Sequence, residues 1–263
     1  FREVMRAVEC IGILLNRPQA NELDEPSGTA EEVCRINTDT CMDILESKEG
    51  QLDEYLSKQV LSCCGIPVVE EKKVSSLDEA LQAADNFGFP LVIKGILPGV
   101  SHKTESNLVH LGIVSEKDLE SAMEKLQQTM EGRGSLPIQK QVRGKIELVA
   151  GFVRDPQLGP CVMCGIGGVF AEALNVTSFG VAPLNLTDAL NMINRLKCRN
   201  MLDGYRGFEP VDKHALARIL VTLGDLGCAC HRIQEIDINP LIIHKGLPIA
   251  VDGLVVLSEN SNA

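Results

Sequence analysis

The chain has 263 residues, a length that leaves one two-lobed unit or two small domains open. Its hydrophobic fraction of 44% is typical of a globular protein. A formal net charge of −11 argues against a nucleic-acid partner or an anionic membrane surface, because either would need a basic face. No apolar run approaches the length of a transmembrane helix and the first residues are charged, so we expect a cytoplasmic protein with no membrane partner.

Residues 1–50 are predicted to be an N-terminal helix and linker. Residues 1–15 have the periodicity of an amphipathic helix that ends before Pro18. Residues 19–50 are acidic and irregular, as in a linker. A helix docked on the main body is the alternative interpretation.

A compact α/β pattern begins near residue 51. Helices are predicted over 53–64 and 77–87, each followed by glycine, with a short strand near 66–69 between them. A strand over 108–114 and a helix that opens with the capping pattern Ser115-Glu116-Lys117-Asp118 come later.

Lys94 ends an apolar run, Leu91-Val92-Ile93, that is predicted to be a buried strand. Burying an unpaired ammonium is energetically costly, so this lysine lies near the mouth of the strand or has a fixed partner. A surface lysine with a buried stem is the simplest interpretation of Lys94 taken alone. The loop that follows carries adjacent His102 and Lys103 and favours an anionic ligand instead.

The run Gly-Arg-Gly-Ser-Leu-Pro at 132–137 is the clearest internal boundary, because it cannot continue a helix or a central strand. The prediction is therefore a first lobe at 51–135, a second lobe at 136–258 and a tail at 259–263. In the second lobe we expect strands over 138–142, 146–153 and 160–164, helices over 187–202 and 212–226, and a final hairpin.

Two motifs of the second lobe have the spacing of known functional sites, a cysteine pair and a glycine cluster. Cys161 and Cys164 have the spacing of a metal or redox pair, but a second pair and a thioredoxin context are missing, so buried reduced thiols are the favoured interpretation. The glycine cluster at 165–168 lacks the continuation of a dinucleotide-binding loop and is predicted to allow a tight turn or a close backbone approach.

The terminal hairpin carries a candidate Mg²⁺ site. Glu235, Asp237 and Asn239 alternate with isoleucines and therefore share one face of a strand. If Lys245-Gly246 is a two-residue turn, counting back along both strands places Asn239 opposite Asp252, close enough to share a hard cation. A solvated acidic sheet face is the alternative, and Pro240 and Pro248 warn that a bulge could shift the register.

A series of motifs in the same order along the chain resembles the ATP-grasp part of NDP-forming acyl-CoA synthetases, relatives of succinyl-CoA synthetase. The resemblance covers about residues 51–257. The motifs are Gly65-Ile66-Pro67-Val68, Gly88-Phe89-Pro90-Leu91-Val92-Ile93-Lys94, Ser101-His102-Lys103-Thr104, Arg154-Asp155-Pro156 with Leu158-Gly159-Pro160, Gly165-Ile166-Gly167-Gly168-Val169-Phe170 with Glu172, Ala182-Pro183-Leu184, Gly204-Tyr205-Arg206-Gly207 and Glu235-Ile236-Asp237-Ile238-Asn239-Pro240-Leu241.

The resemblance implies a fold, an activity and partners. The fold would be α/β (α+β), a two-lobed ATP-grasp fold with a nucleotide cleft between the lobes. The activity would be an acid–CoA ligation that forms ADP, with ATP or ADP and Mg²⁺ bound by this chain. A CoA-binding α-type subunit or domain would handle the carboxylic acid and the acyl-CoA, and an oligomer is expected. If a CoA-binding region precedes this part of the chain, residues 1–50 would be its tail.

Residue by residue, the resemblance implies that Lys94 holds nucleotide phosphates. Lys140, Gln141 and Val142 would form the hinge against which adenine lies, and Glu147 would line the same cleft. Asn239 and Asp252 would hold Mg²⁺. His102 would relay a phosphoryl group between a phosphohistidine of the CoA-binding part and ADP, with Lys94 and Lys103 offsetting phosphoryl charge; a loop histidine that caps a turn is the alternative.

The sequence also departs from the family pattern. The Asp-Val-Gly-Gly that follows the family's His-Lys motif is Glu105-Ser106-Asn107-Leu108, and a later Asp and Arg are Val176 and Gly180. These changes keep a second function open, a nucleotide-binding regulatory or scaffold domain without turnover. A different ATP-grasp carboxylate ligase is a third possibility, less favoured because such enzymes do not need the His-Lys motif.

Overall fold

The computed structural model describes residues 38–97, 107–168, 176–207 and 209–259. The helix predicted over 1–15, His102 and Lys103 lie outside these residues. The chain divides into two compact units. We call the described residues in 53–55 and 68–143 the β1–β4 unit, and those in 38–52, 56–67 and 144–259 the β5–β10 unit.

The β1–β4 unit is a four-stranded antiparallel sheet with two helices packed on it. Its elements are β1 (Glu71–Val74), α3 (Leu77–Phe87), β2 (Leu91–Lys94), β3 (Val109–Ile113), α4 (Glu116–Thr129) and β4 (Leu136–Lys140), in the sheet order β1-β4-β2-β3. Ser76 and Ser115 cap the two helices by accepting hydrogen bonds from the backbone N–H of Glu79 and Asp118. The buried faces of both helices and the strands form one apolar core.

The β5–β10 unit is built on an antiparallel sheet in the order β10-β8-β5-β6-β7, with β9 also paired to β8. Its elements are α1 (Thr38–Ser47), most of α2 (Glu54–Cys63), β5 (Glu147–Asp155), β6 (Gly159–Ile166), β7 (Thr177–Val181), α5 (Leu186–Arg195), α6 (Arg199–Leu202), a 3-10 turn (Tyr205–Gly207), α7 (Lys213–Ala229), β8 (Ile233–His244), β9 (Leu247–Ala250) and β10 (Leu254–Leu257). Gly227 of α7 packs so closely on the Phe152 ring that no Cβ would fit. This contact fixes α7 against the sheet.

The structure divides the chain at a different place from the predicted boundary near residue 135. Strand β4 pairs with both β1 and β2, so it belongs to the first sheet, and the division falls between Arg143 and Gly144. The Gly-Arg-Gly-Ser part of the run is a turn inside the unit, where Ser135 pairs with Ile96 by two backbone hydrogen bonds of 2.8 and 3.0 Å. Leu136 and Pro137 are the first residues of β4, so the prediction that this run cannot continue a central strand is wrong. Turn residues mark a chain reversal here, not the edge of a domain.

Other element predictions differ in detail. The strand expected at 66–69 lies at 71–74, and the helix expected over 187–202 is interrupted at Leu196–Cys198. Within the predicted linker, residues 38–47 form a helix whose Cys41 and Leu45 are buried, which is the docked-helix alternative. No helix in the described part of the chain combines the length and apolarity needed to cross a bilayer.

Candidate functional site

Lys94 is buried and has a fixed partner. The three residues before it, Leu91 to Ile93, are at most 3% exposed, and Lys94 itself is 4% exposed. Its Nζ lies 2.5 Å from Glu54 Oε1, and the two side chains are 6% and 1% exposed. The sequence left open whether Lys94 lies near the mouth of the strand or has a fixed partner. The structure shows the second, a buried lysine with a counter-charge.

Sequence reasoning missed Glu54. An acidic residue in the first turn of a helix is common, because a carboxylate there interacts favourably with the helix dipole. The signal that could have found it is the helical spacing of Glu54, Ser57 and Leu61, which puts polar residues on the stripe that a core-facing helix keeps apolar. Glu54 and Ser57 are 3% and 0% exposed.

The described residues on either side of 98–106 lie beside Lys94. Lys94 pairs with Val109 of β3, and the Gly95 N–H donates a 2.7 Å hydrogen bond to Leu108 O. Met130 Sδ would lie 2.6 Å from a Cβ on Gly95, so the backbone after Lys94 is tightly packed. His102 and Lys103 lie outside the described residues, and their roles stay predictions.

Asn107 stands at the first of the two glycine positions of the family pattern and keeps a backbone conformation that glycine would allow. Its φ of 54° lies in the left-handed region that glycine adopts most easily and that asparagine tolerates. One of the two lost glycines is therefore replaced by a residue that keeps an unusual backbone conformation. This departure from the family pattern is milder in structure than in sequence.

The residues predicted to contact adenine are the last residue of β4 and the two that follow it. Lys140 is exposed, and its backbone N–H donates to Glu70 O at 3.3 Å. The Gln141 N–H donates to Pro90 O at 3.0 Å, which holds this segment against the residue that precedes β2. Gln141 Oε1 is buried and has no hydrogen-bond donor among the described residues. Such an acceptor is available to a ligand that carries an N–H group.

Glu147 lies against the glycine cluster. It is the exposed first residue of β5, and its carbonyl oxygen accepts a 2.8 Å hydrogen bond from the Gly167 N–H. A Cβ on Gly168 would lie 2.7 Å from Glu147 Oε2, and Gly168 has a φ of +64°. The glycines therefore allow the close backbone approach that was predicted. A dinucleotide loop does not fit, because β6 is antiparallel to both of its neighbours.

The hairpin register predicted by counting is confirmed on both sides of the candidate metal site. Lys245 and Gly246 form a two-residue turn with φ values of 50° and 80°, and β8 pairs with β9 from His244↔Leu247 to Leu241↔Ala250. After a three-residue interruption, β10 resumes with Leu254↔Asp237 in the same register. Asn239 and Asp252 are the positions that this register sets opposite each other within the interruption.

The register shift that Pro240 and Pro248 warned of does not occur in the hairpin; a shift near Pro240 lies on the other edge of β8. The pairing of β8 with β5 shifts between Leu148↔Leu241 and Ala150↔Ile238, while the hairpin register is unchanged. Helix α2 holds both sides of the interruption: Lys58 Nζ donates to Val251 O at 3.4 Å, and Ser57 Oγ accepts from the Val255 N–H at 3.0 Å.

The donor set of the hairpin fits Mg²⁺. Asn239 is exposed and Asp252 is half-buried, with its Oδ1 accepting a 2.7 Å hydrogen bond from the Gly253 N–H. No group of three or more His, Cys, Asp or Glu side chains is arranged as a metal site within the described ranges. One carboxylate and one amide oxygen are still sufficient, because Mg²⁺ usually keeps waters and binds phosphate oxygens as well.

Two sequence motifs have structural roles. Arg154 donates to the carbonyl oxygens of Gly227, Cys230 and Ile233 at 2.6, 3.3 and 3.2 Å, and so caps the end of α7. Cys161 and Cys164 are both buried on β6, where a spacing of three sends the side chains to opposite faces. Burial raises the pKa of the Cys164 thiol to about 12. The pair is therefore not a metal site.

Comparison with known proteins identifies the family. Residues 43–257 match the model of an ATP-grasp domain, so the chain belongs to the ATP-grasp family. It is 35% identical over 225 residues to the beta subunit of ADP-forming acetate–CoA ligase I from Pyrococcus furiosus, which covers 82% of this chain and 97% of that subunit. It is 33% identical to the ADP-forming acetate–CoA ligase I of Archaeoglobus fulgidus over 98% of this chain, but spans only 39% of that relative.

The fold agrees with a solved enzyme. The structure of the dinucleotide-forming acetyl-coenzyme A synthetase 1 of Ca. Korarchaeum cryptofilum with coenzyme A, Ca-AMPCP and HgCl+ has a TM-score of 0.77 and 34% identity, covering 84% of this chain and 99% of that one. A second structure of that enzyme holds coenzyme A and Mg-AMPPCP, with a phosphohistidine segment pointing towards the nucleotide-binding site (TM-score 0.74, 34% identity, the same coverage). The predicted ATP-grasp fold is confirmed.

Proposed function

We propose that this chain is the nucleotide-binding component of an ADP-forming acyl-CoA synthetase, which catalyses acid + CoA + ATP ⇌ acyl-CoA + ADP + phosphate. The observation that carries the proposal is the match along 97% of an acetate–CoA ligase beta subunit at 35% identity. The match therefore extends over nearly the whole of that subunit. The names of the similar proteins also supply the ADP-forming direction of the chemistry.

Each candidate residue has a distinct part in the proposed reaction. Lys94 binds nucleotide phosphates, Lys140, Gln141 and Val142 contact the adenine, and Glu147 lines the nucleotide site. His102 accepts and donates the phosphoryl group, and Lys103 offsets its charge. Phosphoryl transfer needs little covalent chemistry from a protein beyond such positioning and charge compensation.

Asn239 and Asp252 hold Mg²⁺ in this proposal. When bound, the ion neutralises charge on the nucleotide phosphates. The support from this chain is the hairpin register that sets the exposed Asn239 opposite the half-buried Asp252. The amide oxygen of Asn239 and the carboxylate of Asp252 are the ligand types that Mg²⁺ prefers.

The partner in this proposal is a CoA-binding α-type subunit or domain, which also binds the carboxylic acid. The support is the name of the Pyrococcus relative, a beta subunit, and the larger size of the Archaeoglobus relative, of which this chain spans 39%. We also propose a cytoplasmic location and assembly into an oligomer with that partner.

A second candidate function is a nucleotide-binding regulatory or scaffold domain that has lost turnover. The observation that favours it is Gly180, the position of an arginine in the family pattern. A Cβ at Gly180 would lie 2.5 Å from Met192 Sδ and 3.0 Å from Leu184 Cδ2, so a longer side chain on β7 would have to displace the Met192 side chain. Val176 is likewise buried, at 8% exposure.

An assay of the assembled complex separates the two functions. The chain is combined with a CoA-binding subunit of an ADP-forming acetate–CoA ligase, and assembly is checked by size-exclusion chromatography. With acetate, CoA, ATP and Mg²⁺, we expect ADP and acetyl-CoA in equal amounts. His102→Ala should reduce the rate at least about 100-fold, while the matched variant His110→Ala should not.

The contrary result is equally clear. A complex that assembles and binds ATP but forms neither ADP nor thioester above background would contradict the synthetase proposal. It would favour the regulatory domain.

A further inference from the structure

Glu54 is a buried carboxylate that the proposed reaction does not yet use. It is the first residue of α2 and is 3% exposed. A carboxylate at a helix N-terminus gains from the helix dipole while it is exposed to solvent, so the dipole alone does not account for its burial. Removing a carboxylate from water is costly unless a cation meets it.

The cation that meets it is the lysine proposed to bind phosphate. Lys94 Nζ and Glu54 Oε1 are 2.5 Å apart, and both side chains lie within the β1–β4 unit. The backbone of Lys94 is fixed as well, because β2 pairs with β3 on one edge and with β4 on the other. The remaining freedom is in the four-carbon stem of the lysine, and the contact with Glu54 restricts that stem.

An adjacent ion pair shows what an ordinary contact looks like in the same part of the chain. Asp53 Oδ2 lies 3.5 Å from Lys73 Nζ, with side-chain exposures of 32% and 36%. Lys73 Nζ also lies 4.3 Å from the centroid of the Tyr55 ring. Both pairs join the start of α2 to a strand of the β1–β4 unit, but only the pair with Lys94 is withdrawn from solvent.

We propose that Glu54 is a positioning residue for nucleotide binding, which orients the Lys94 ammonium toward the phosphates. This inference rests on the proposed function, because Lys94 needs a phosphate to bind. A lysine is a flexible point charge, and a preorganised charge binds with less loss of side-chain freedom. The carboxylate also keeps the buried ammonium compensated while no phosphate is bound.

The test compares two ligands that differ in their phosphates. Isothermal titration calorimetry with Mg·ADP and with adenosine is carried out on the full chain and on Glu54→Gln, Glu54→Asp and Asp53→Asn. For Glu54→Gln we expect an affinity for Mg·ADP about 10- to 100-fold weaker, with adenosine binding unchanged. Glu54→Asp keeps the charge and should recover part of the loss, and Asp53→Asn should match the wild-type chain.

The outcomes distinguish this inference from the proposed function. If wild-type chain binds no Mg·ADP, the proposed function fails and the role of Glu54 fails with it. If wild-type chain binds Mg·ADP and Glu54→Gln binds it equally well, the positioning role is overturned while the proposed function stands. Equal weakening toward Mg·ADP and adenosine would show a purely structural role and would also overturn the inference. Thermal unfolding of each variant confirms that binding is measured on folded protein.

Discussion

The two candidate ligand-binding regions differ in how they hold their charges. In the β1–β4 unit, Lys94 is 4% exposed and lies against a buried carboxylate. In the β5–β10 unit, Asn239 is exposed and Asp252 is half-buried within an interruption of the hairpin. A buried charge requires a counter-charge inside the fold, whereas an exposed one can rely on water.

Because of this difference, the two regions are expected to couple function to stability in different ways. Substitution of Lys94 or Glu54 should affect folding and ligand binding together, because each residue compensates the other where little water has access. Substitution of Asn239 or Asp252 should affect metal binding with little change in stability. The free energy of unfolding of variants in each region measures this contrast.

Lys94→Met should destabilise the chain most, by about 3–5 kcal/mol, because it removes a buried charge that compensates Glu54. Chemical denaturation measures the free energy of unfolding. The double variant Glu54→Leu/Lys94→Met removes both charges and should return to within about 1 kcal/mol of the wild-type chain. Neither variant should bind Mg·ADP with wild-type affinity. A single variant as stable as the wild-type chain would refute the contrast.

Gly246→Ala should have an intermediate effect, a loss of about 2 kcal/mol. The φ of Gly246 is +80°, which strains an alanine, and its Cβ would lie 2.9 Å from Pro210 O. Gly159→Ala is the matched control, since its φ is +77° but nothing lies within 4 Å. We expect a loss of about 1 kcal/mol there by the same denaturation measurement. Equal losses at the two positions would show that the Pro210 contact contributes nothing.

Asp252→Asn should change stability least, within about 0.5 kcal/mol, because asparagine can still accept the hydrogen bond from the Gly253 N–H. The Mg²⁺-dependent part of ADP affinity should fall about tenfold or more, since a neutral ligand replaces a carboxylate. Titration of ADP with and without Mg²⁺ measures both. Glu235 lies on the same face of β8 as Asn239, and Glu235→Gln is the control, which should leave the Mg²⁺ dependence of ADP affinity intact. If Glu235→Gln lost the Mg²⁺ dependence and Asp252→Asn kept it, the metal site would be at Glu235 and not at Asp252.

Local patterns in the sequence predicted much of what positions the candidate site. The apolar run before Lys94 specified a buried strand, and the Lys-Gly turn fixed a register that holds as far as Val256↔Glu235. Both rest on short-range rules, the alternation of side chains along a strand and the geometry of a two-residue turn. The warning that Pro240 and Pro248 could shift the hairpin register was not needed, because the shift near Pro240 is in the pairing of β8 with β5.

Long-range contacts were beyond the sequence. The partner of Lys94 lies 40 positions earlier along the chain, and a glutamate at a helix start carries no sign of where its side chain is buried. The boundary near residue 135 rested on turn residues, but the pairing of β4 with β1 and β2 decides which sheet it joins. Strand pairing depends on tertiary structure, and a single sequence shows it only within a hairpin.

The most direct test of the proposed function is transfer of the γ-phosphoryl group. The chain and a CoA-binding partner subunit are incubated with γ-labelled ATP and Mg²⁺, and the protein is tested for acid-labile, base-stable label. We predict label on the wild-type complex and none with His102→Ala, while Asp252→Ala should also abolish labelling. A complex that binds ATP but never becomes labelled would contradict phosphoryl transfer by this chain and would leave nucleotide binding as its function.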